Sequence, residues 1–223
     1  MATTFAPSEA VKVGWDTMKK NFWFFVGLLI VSWIIQVIPS GIANIFKTRM
    51  FALYFILIIA AWVIQAIVKM GLIKITLDVL DKGKGELGDI FSQTDKLVNF
   101  ILGSILYVLI VLGGLILLIV PGIIWAIKYQ YFSYLIIDKN MKPMEAIKKS
   151  GEITMGNKGN LFVLGLLLCL INLAGLLCLL IGLFATIPLT MVATAYVYRK
   201  LMGEVAENNA APPVIEPTPV ATI

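Results

Sequence analysis

Residues 97 to 137 read LVNFILGSILYVLIVLGGLILLIVPGIIWAIKYQYFSYLII, 41 residues with a single lysine and no acid. A helix needs roughly 20 predominantly apolar residues to cross about 30 Å of hydrocarbon. The run is therefore too long for one span and the right length for two joined by a tight turn. Gly113-Gly114 and Pro121-Gly122 are both candidate turns, and the sequence leaves the choice open. Working outward, an earlier run covers Phe22 to Ile38 and meets Pro39-Ser40-Gly41. Another runs from Phe51 to Val68, with Lys69 marking the membrane exit. The last, Leu161 to Tyr198, divides near Gly182.

The expectation is an all-α, polytopic transmembrane helical bundle of about six spans: 22–38, 51–68, 97–115, 118–137, 161–180 and 183–200. They form one integral membrane domain over 1–203. Residues 204–223, with Pro212, Pro213, Pro217 and Pro219, read as a disordered cytoplasmic tail. The first run starts after 21 residues, exceeds a signal peptide's apolar core and lacks a small-x-small cleavage site, so it reads as a retained helix.

Composition agrees. Of 223 residues 60% are hydrophobic and 14% charged, with a mean hydropathy of +0.94. Soluble domains carry about 25% charged residues, and this chain lacks the polar surface to cover so large a core. There is no histidine, which removes Ser-His-Asp and Cys-His nucleophile systems and His-containing zinc sites. The two cysteines, Cys169 and Cys178, stand about 13.5 Å apart along one helix, too far to bridge.

Charge placement orients the chain. The N-terminus carries Lys12, Lys19 and Lys20, the 69–96 and 139–160 loops carry five lysines each, and Arg199 and Lys200 follow the last span. Those 15 face only Lys47 and Arg49 on the other side, which makes both termini cytoplasmic. The 13 acids share that side, so the net +5 is no concentrated basic field, and nucleic acid is not an expected partner.

Pro7-Ser8-Glu9-Ala10-Val11-Lys12 recurs as Pro143-Met144-Glu145-Ala146-Ile147-Lys148, offset by 136. Each copy predicts a short amphipathic helix. The first presents Val11, Trp15, Met18 and Phe22 on one face, with Lys12–Asp16 and Asp16–Lys20 pairs opposite. The second presents Met144, Ile147 and Gly151, opposite Glu145–Lys149 and Lys148–Glu152. A third such helix is expected over Leu87 to Val98, with Leu87, Ile90, Phe91 and Leu97 together. Each precedes two spans, which suggests three units of interfacial helix plus hairpin. The bland alternative is that such helices flank spans commonly and share Glu, Ala and Lys by propensity.

The stretch Val120-Pro121-Gly122-Ile123, then Ala126, Lys128-Tyr129, Tyr134-Leu135, Asp138 and Glu145-Ala146-Ile147-Lys148-Lys149-Ser150 resembles the membrane domain of glycerophosphoryl diester phosphodiesterases, and related uncharacterised six-helix membrane proteins. The resemblance is specific over about 117–160. It implies an integral membrane protein with no established activity for this domain alone. The catalytic barrel of that family uses His and acidic residues, and nothing of it is present here.

Lys128 is the one basic residue inside a span. Its ammonium either meets a lipid phosphate or substrate anion in a polar cleft, or snorkels and stacks on Trp125 and Tyr131. Tyr129, Tyr131 and Tyr134 could then form an interfacial belt. Asn172, Gln65, Ser104 and Gln130 lie within apolar runs, where they either join helices or line a wet cavity. Gly182, Thr186, Thr190 and Thr194 make a small-residue stripe. Lys128, Tyr131, Asn172 and Thr190 are the candidate polar or head-group site. The acids of the 69–96 loop lack the spacing of a calcium loop, and Lys82-Gly83-Lys84-Gly85 is a turn rather than a phosphate cradle. No metal or cofactor is implied.

The leading expectation is a non-enzymatic membrane protein that organises or accompanies lipids or other membrane proteins. The alternative is a small transporter or lipid-translocating protein with a polar path joining Lys128, Asn172 and the threonine stripe. An embedded hydrolase ranks third, since no expected span holds an acid.

Overall fold

The computed structural model describes residues 4–46, 51–178 and 181–203, and every regular element among them is helical. The α-helices are α1 (Pro7–Lys20), α2 (Phe22–Phe46), α3 (Phe51–Lys82), α4 (Leu97–Leu117), α5 (Ile119–Tyr129), α6 (Phe132–Lys139), α7 (Pro143–Ile153), α8 (Lys158–Leu177) and α9 (Leu183–Leu201). Four stretches are long and apolar enough to cross a membrane: Phe22–Pro39, Ala52–Lys82, Leu87–Leu117 and Lys158–Leu177. The expected fourth span is divided between α5 and α6, and α9 is a shorter, more polar helix. Lys47, Arg49 and the 204–223 tail lie outside the described residues.

Local chemistry explains the helix ends. Pro7 opens α1, where no backbone donor is needed, with Glu9 in the first turn and Lys19 and Lys20 in the last, as the helix dipole favours. α2 continues through Pro39 instead of stopping there. α3 runs 13 residues past the expected exit at Lys69, since packing rewards the extra turns: Met70, Ile75, Leu77 and Val79 are all buried. It stops at Gly83, whose φ of 75° is the left-handed geometry glycine adopts without a Cβ penalty.

The turn between α4 and α5 falls at Leu118, which is extended (φ −166°, ψ 152°), between the two candidate dipeptides. Glycines from both dipeptides instead form the contact inside the hairpin. A Cβ on Gly114 would sit 2.9 Å from the Cα of Gly122. The α8–α9 hairpin closes in the same way, with a Cβ on Gly182 falling 2.7 Å from the Cα of Gly175.

Three expectations about amphipathic helices are corrected. On α1 the buried stripe is Ala10, Gly14 and Met18, while Trp15 is exposed beneath Lys19. The helix packs against α9, where a Cβ on Gly14 would meet the Leu189 carbonyl at 2.7 Å, so only the smallest residues fit. On α7, Ala146, Ile147, Ser150 and Gly151 are buried and Met144 is exposed; the charge pair there is Lys149–Glu152. Residues 87–98 form no amphipathic α-helix. They make two 3-10 turns, Leu87–Phe91 and Thr94–Lys96, with Ile90 buried and Leu87 and Phe91 exposed. The backbone of Ile90 presses so closely on Gly71 of α3 that a Cβ there would overlap it. That tertiary contact overrides the helical pattern.

Burial sorts these helices into two layers. The large exposed apolar side chains are concentrated in α2, the first half of α3, α4, the start of α5, α8 and the start of α9. The second layer is closely packed. It joins α1, the end of α3, α6, α7 and the end of α9 around Leu77, Leu135, Ile136, Ala146, Val197 and Tyr198. Such an exposed belt is unsuited to water and suited to lipid.

Candidate functional site

The ends of three helices meet at Arg199 in the packed layer. Its guanidinium binds Asp138 of α6 twice, at 2.8 and 3.0 Å, and Asp81 of α3 at 2.7 and 3.2 Å. The Tyr198 hydroxyl donates to the same Asp138 at 2.9 Å. Arg199 is 9% exposed, and a charge so buried costs several kcal/mol unless paired.

A second pair fastens α1. Glu9 accepts from Lys200 at 2.6 Å and from the Tyr196 hydroxyl at 2.5 Å. Lys200, then Tyr196, hold the Glu9 carboxyl below its ordinary value. On α3, Asp78 pairs with both Lys74 and Lys82. These charges thus close on one another. The Asp78 pairs are i,i+4 neighbours within α3, whereas the pairs of Arg199 and Glu9 join residues 61 to 191 apart and were not legible in the sequence.

Lys128 lies in the last turn of α5, and its ammonium lies 4.9 Å from the ring of Tyr129, not on Trp125 or Tyr131. Trp125 packs across Gly114 instead. Tyr131 is 1% exposed, its ring near those of Tyr134 and Tyr198 at 5.8 and 6.0 Å. It is part of the core rather than of an aromatic belt. The backbone of Lys128 is the more engaged part: its carbonyl accepts from Ser150 Oγ at 3.1 Å and Thr154 Oγ1 at 3.0 Å. Ser150 Oγ also accepts from the Tyr131 N–H at 3.1 Å. Ser150 therefore bridges both sides of the α5–α6 break, satisfying groups that an interrupted helix leaves open.

Asn172 and Thr190 form a separate group. Asn172 Nδ2 donates to Thr190 Oγ1 at 2.8 Å and to the Leu168 carbonyl at 2.9 Å, joining α8 to α9. Thr190 and Thr194 each donate to the carbonyl four residues back. Thr186 packs on Gly175. Lys128 and Tyr131 thus stand in one hydrogen-bonded group and Asn172 and Thr190 in another. None of the four lines either of two cavities between the helices. One, of 630 Å³, lies among α2, α3 and α4; the other, of 360 Å³, lies among α2, α3 and α9. The larger collects Gln65 and Ser104. Among the described residues no group of three His, Cys, Asp or Glu side chains could hold a metal ion.

Similar proteins include uncharacterised proteins of Mycobacterium bovis and two strains of Mycobacterium tuberculosis. Each is 27% identical over 158 residues, which is 70% of this chain and 48% of the relative. The chain thus spans about half the length of the relatives it matches. No family model and no solved structure matches it.

Proposed function

We propose that the chain is a non-enzymatic integral membrane protein that organises or accompanies membrane lipids or other membrane proteins. One observation carries this reading: a wide exposed apolar belt stands on a packed layer whose main charges are already paired with one another. Arg199, Asp138, Glu9 and Lys200 are engaged in holding helix ends together and leave little free chemistry for catalysis. In this reading the belt is the lipid-facing surface. α5 with α6 makes the fourth crossing, and α9 makes the sixth. The packed layer lies at the cytoplasmic face, in accord with its lysines.

The resemblance to the phosphodiesterase membrane domain implies an integral membrane protein, which this reading requires. The repeat gains support from α1 and α7, which bury equivalent positions: Ala10 and Ala146, Gly14 and Ser150. The transporter alternative lacks its path, since Lys128 and Asn172 bond to separate partners.

Reconstitution tests the choice. Vesicles containing the full chain should move ions, phosphate and fluorescent lipids no faster than protein-free vesicles. Flux that depends on the protein and falls in Asn172→Leu would overturn the reading in favour of transport.

A further inference from the structure

The larger cavity is a groove whose polar side chains are Lys69, Gln65 and Ser104, with Gln36 of α2, which donates within its own helix to the Ser32 carbonyl at 3.0 Å. Trp62, Gln65, Lys69 and Leu72 line it from α3; Phe100, Ser104 and Val108 are among its residues from α4. The α3 positions, at i, i+3, i+7 and i+10, share one helix face. Lys69 closes the apolar run that begins at Phe51. That run of 18 residues is about 27 Å long, close to the hydrocarbon thickness. Lys69 therefore stands at head-group depth, with Gln65 about one turn and Trp62 about two turns deeper along α3; Ser104 lies about two turns inside the start of α4, with Val108 and Leu109 beyond it.

Lys69 also differs from its neighbours. Lys74 and Lys82 share Asp78, Lys96 donates to Gln93 and to the Ile137 carbonyl, and Lys200 is held by Glu9. Among the described residues no carboxylate pairs with Lys69, and no acidic residue lines the groove. We propose that this groove binds one anionic phospholipid of the cytoplasmic leaflet. Its phosphate sits at the Lys69 ammonium, and an acyl chain lies along Trp62, Ile105, Val108 and Leu109. The Gln65 side chain lies at the depth of the ester groups.

A helix from a second copy fits less well. None of the expected spans carries an acid, so a second copy would bury the ammonium without a counter-charge. A phospholipid supplies both the charge and the apolar length.

This site rests on the proposed lipid-accompanying role, and the experiment separates the two. The full chain in mild detergent is titrated with phosphatidylglycerol or phosphatidylcholine and weighed by native mass spectrometry. Wild type should favour phosphatidylglycerol. Lys69→Gln should cut that preference about fivefold, the contribution of one lysine near an anionic surface. Ser104→Phe, which fills the groove without changing charge, should lower binding of both lipids, and Lys128→Gln should leave binding unchanged. Since Lys69 and Ser104 are not core residues, helical circular dichroism should match wild type for all three variants. Phosphatidylglycerol bound equally by wild type and Lys69→Gln overturns the site and leaves the broader role standing. A wild-type chain that takes up neither lipid overturns both. Inorganic phosphate bound at Lys69 without lipid, and indifferent to Ser104→Phe, assigns the groove to a free anion and overturns the lipid.

Discussion

Arg199 of α9 and Asp138 of α6 meet in a two-pronged ion pair, Nη1 to Oδ2 at 2.8 Å and Nη2 to Oδ1 at 3.0 Å, across 61 residues of sequence. Asp81 of α3 takes the remaining face of the guanidinium, so one side chain fixes the relative height of three helices.

Removing one partner of such a buried pair strands the other. Arg199→Met should cost roughly 3 kcal/mol, read as a fall in the thermal unfolding midpoint in detergent. Arg199→Met with Asp138→Leu should be more stable than Arg199→Met alone. A double variant as unstable as the sum of the singles would show that the pair is incidental.

Ser150 gives a second test. Ser150→Ala leaves the Tyr131 N–H without its acceptor and the Lys128 carbonyl with Thr154 alone. The expected loss is about 1–3 kcal/mol, together with faster hydrogen exchange at the Tyr131 amide. An unchanged exchange rate would mean that the helix break does not depend on Ser150.

The attachment of α1 should respond to acid. The Glu9 pKa is lowered in the folded state by Lys200 and Tyr196. Its contribution is complete above the ordinary Glu value of about 4.3, and is lost as the pH falls through the lowered value. Protease access to α1 should rise in that window. In Glu9→Gln it should be raised already at neutral pH and insensitive to acid. A wild-type α1 equally protected below that window would count against the pair.

The apolar runs announced the helices, because length and hydropathy alone decide whether a segment suits a bilayer. Details set by neighbours were not visible. The extra turns of α3 depend on a tertiary core that only forms once α6 and α9 arrive. The buried stripe on α1 follows from backbone approach to Leu189, which favours Gly14 over the larger Trp15. Gly114 and Gly122, proposed as turns, proved to be contacts, since their lack of a side chain serves close packing as well as bending, whereas Gly182 lies in the α8–α9 turn as expected. Of the candidate site, Asn172 and Thr190 do meet, whereas Tyr131 belongs to the core. Arg199 carried no local signal, and Asp138 only its place in the family-like stretch; acidic and basic residues at helix ends are common, and only the fold selects which ones pair. Ser150 stood inside the quoted family-like stretch, and that stretch was the only hint of its importance.

Orientation can be measured by cysteine replacement in a chain with Cys169 and Cys178 changed to Ala. Ile42→Cys and Glu86→Cys are both exposed positions on opposite ends of the bundle. A membrane-impermeant thiol reagent applied to whole cells should label the first and not the second. Labelling of both, or of Glu86→Cys alone, would reverse or dissolve the proposed topology.

The central claim is that this bundle keeps company with lipids rather than performing chemistry on a solute. The most direct measurement is mass spectrometry of everything that copurifies with the wild-type chain in mild detergent, before any lipid is added. The account predicts phospholipid retained in fixed ratio to protein, richer in anionic head groups than the membrane it came from. A chain recovered bare, or carrying only the bulk lipid mixture in proportion to detergent removal, would contradict it.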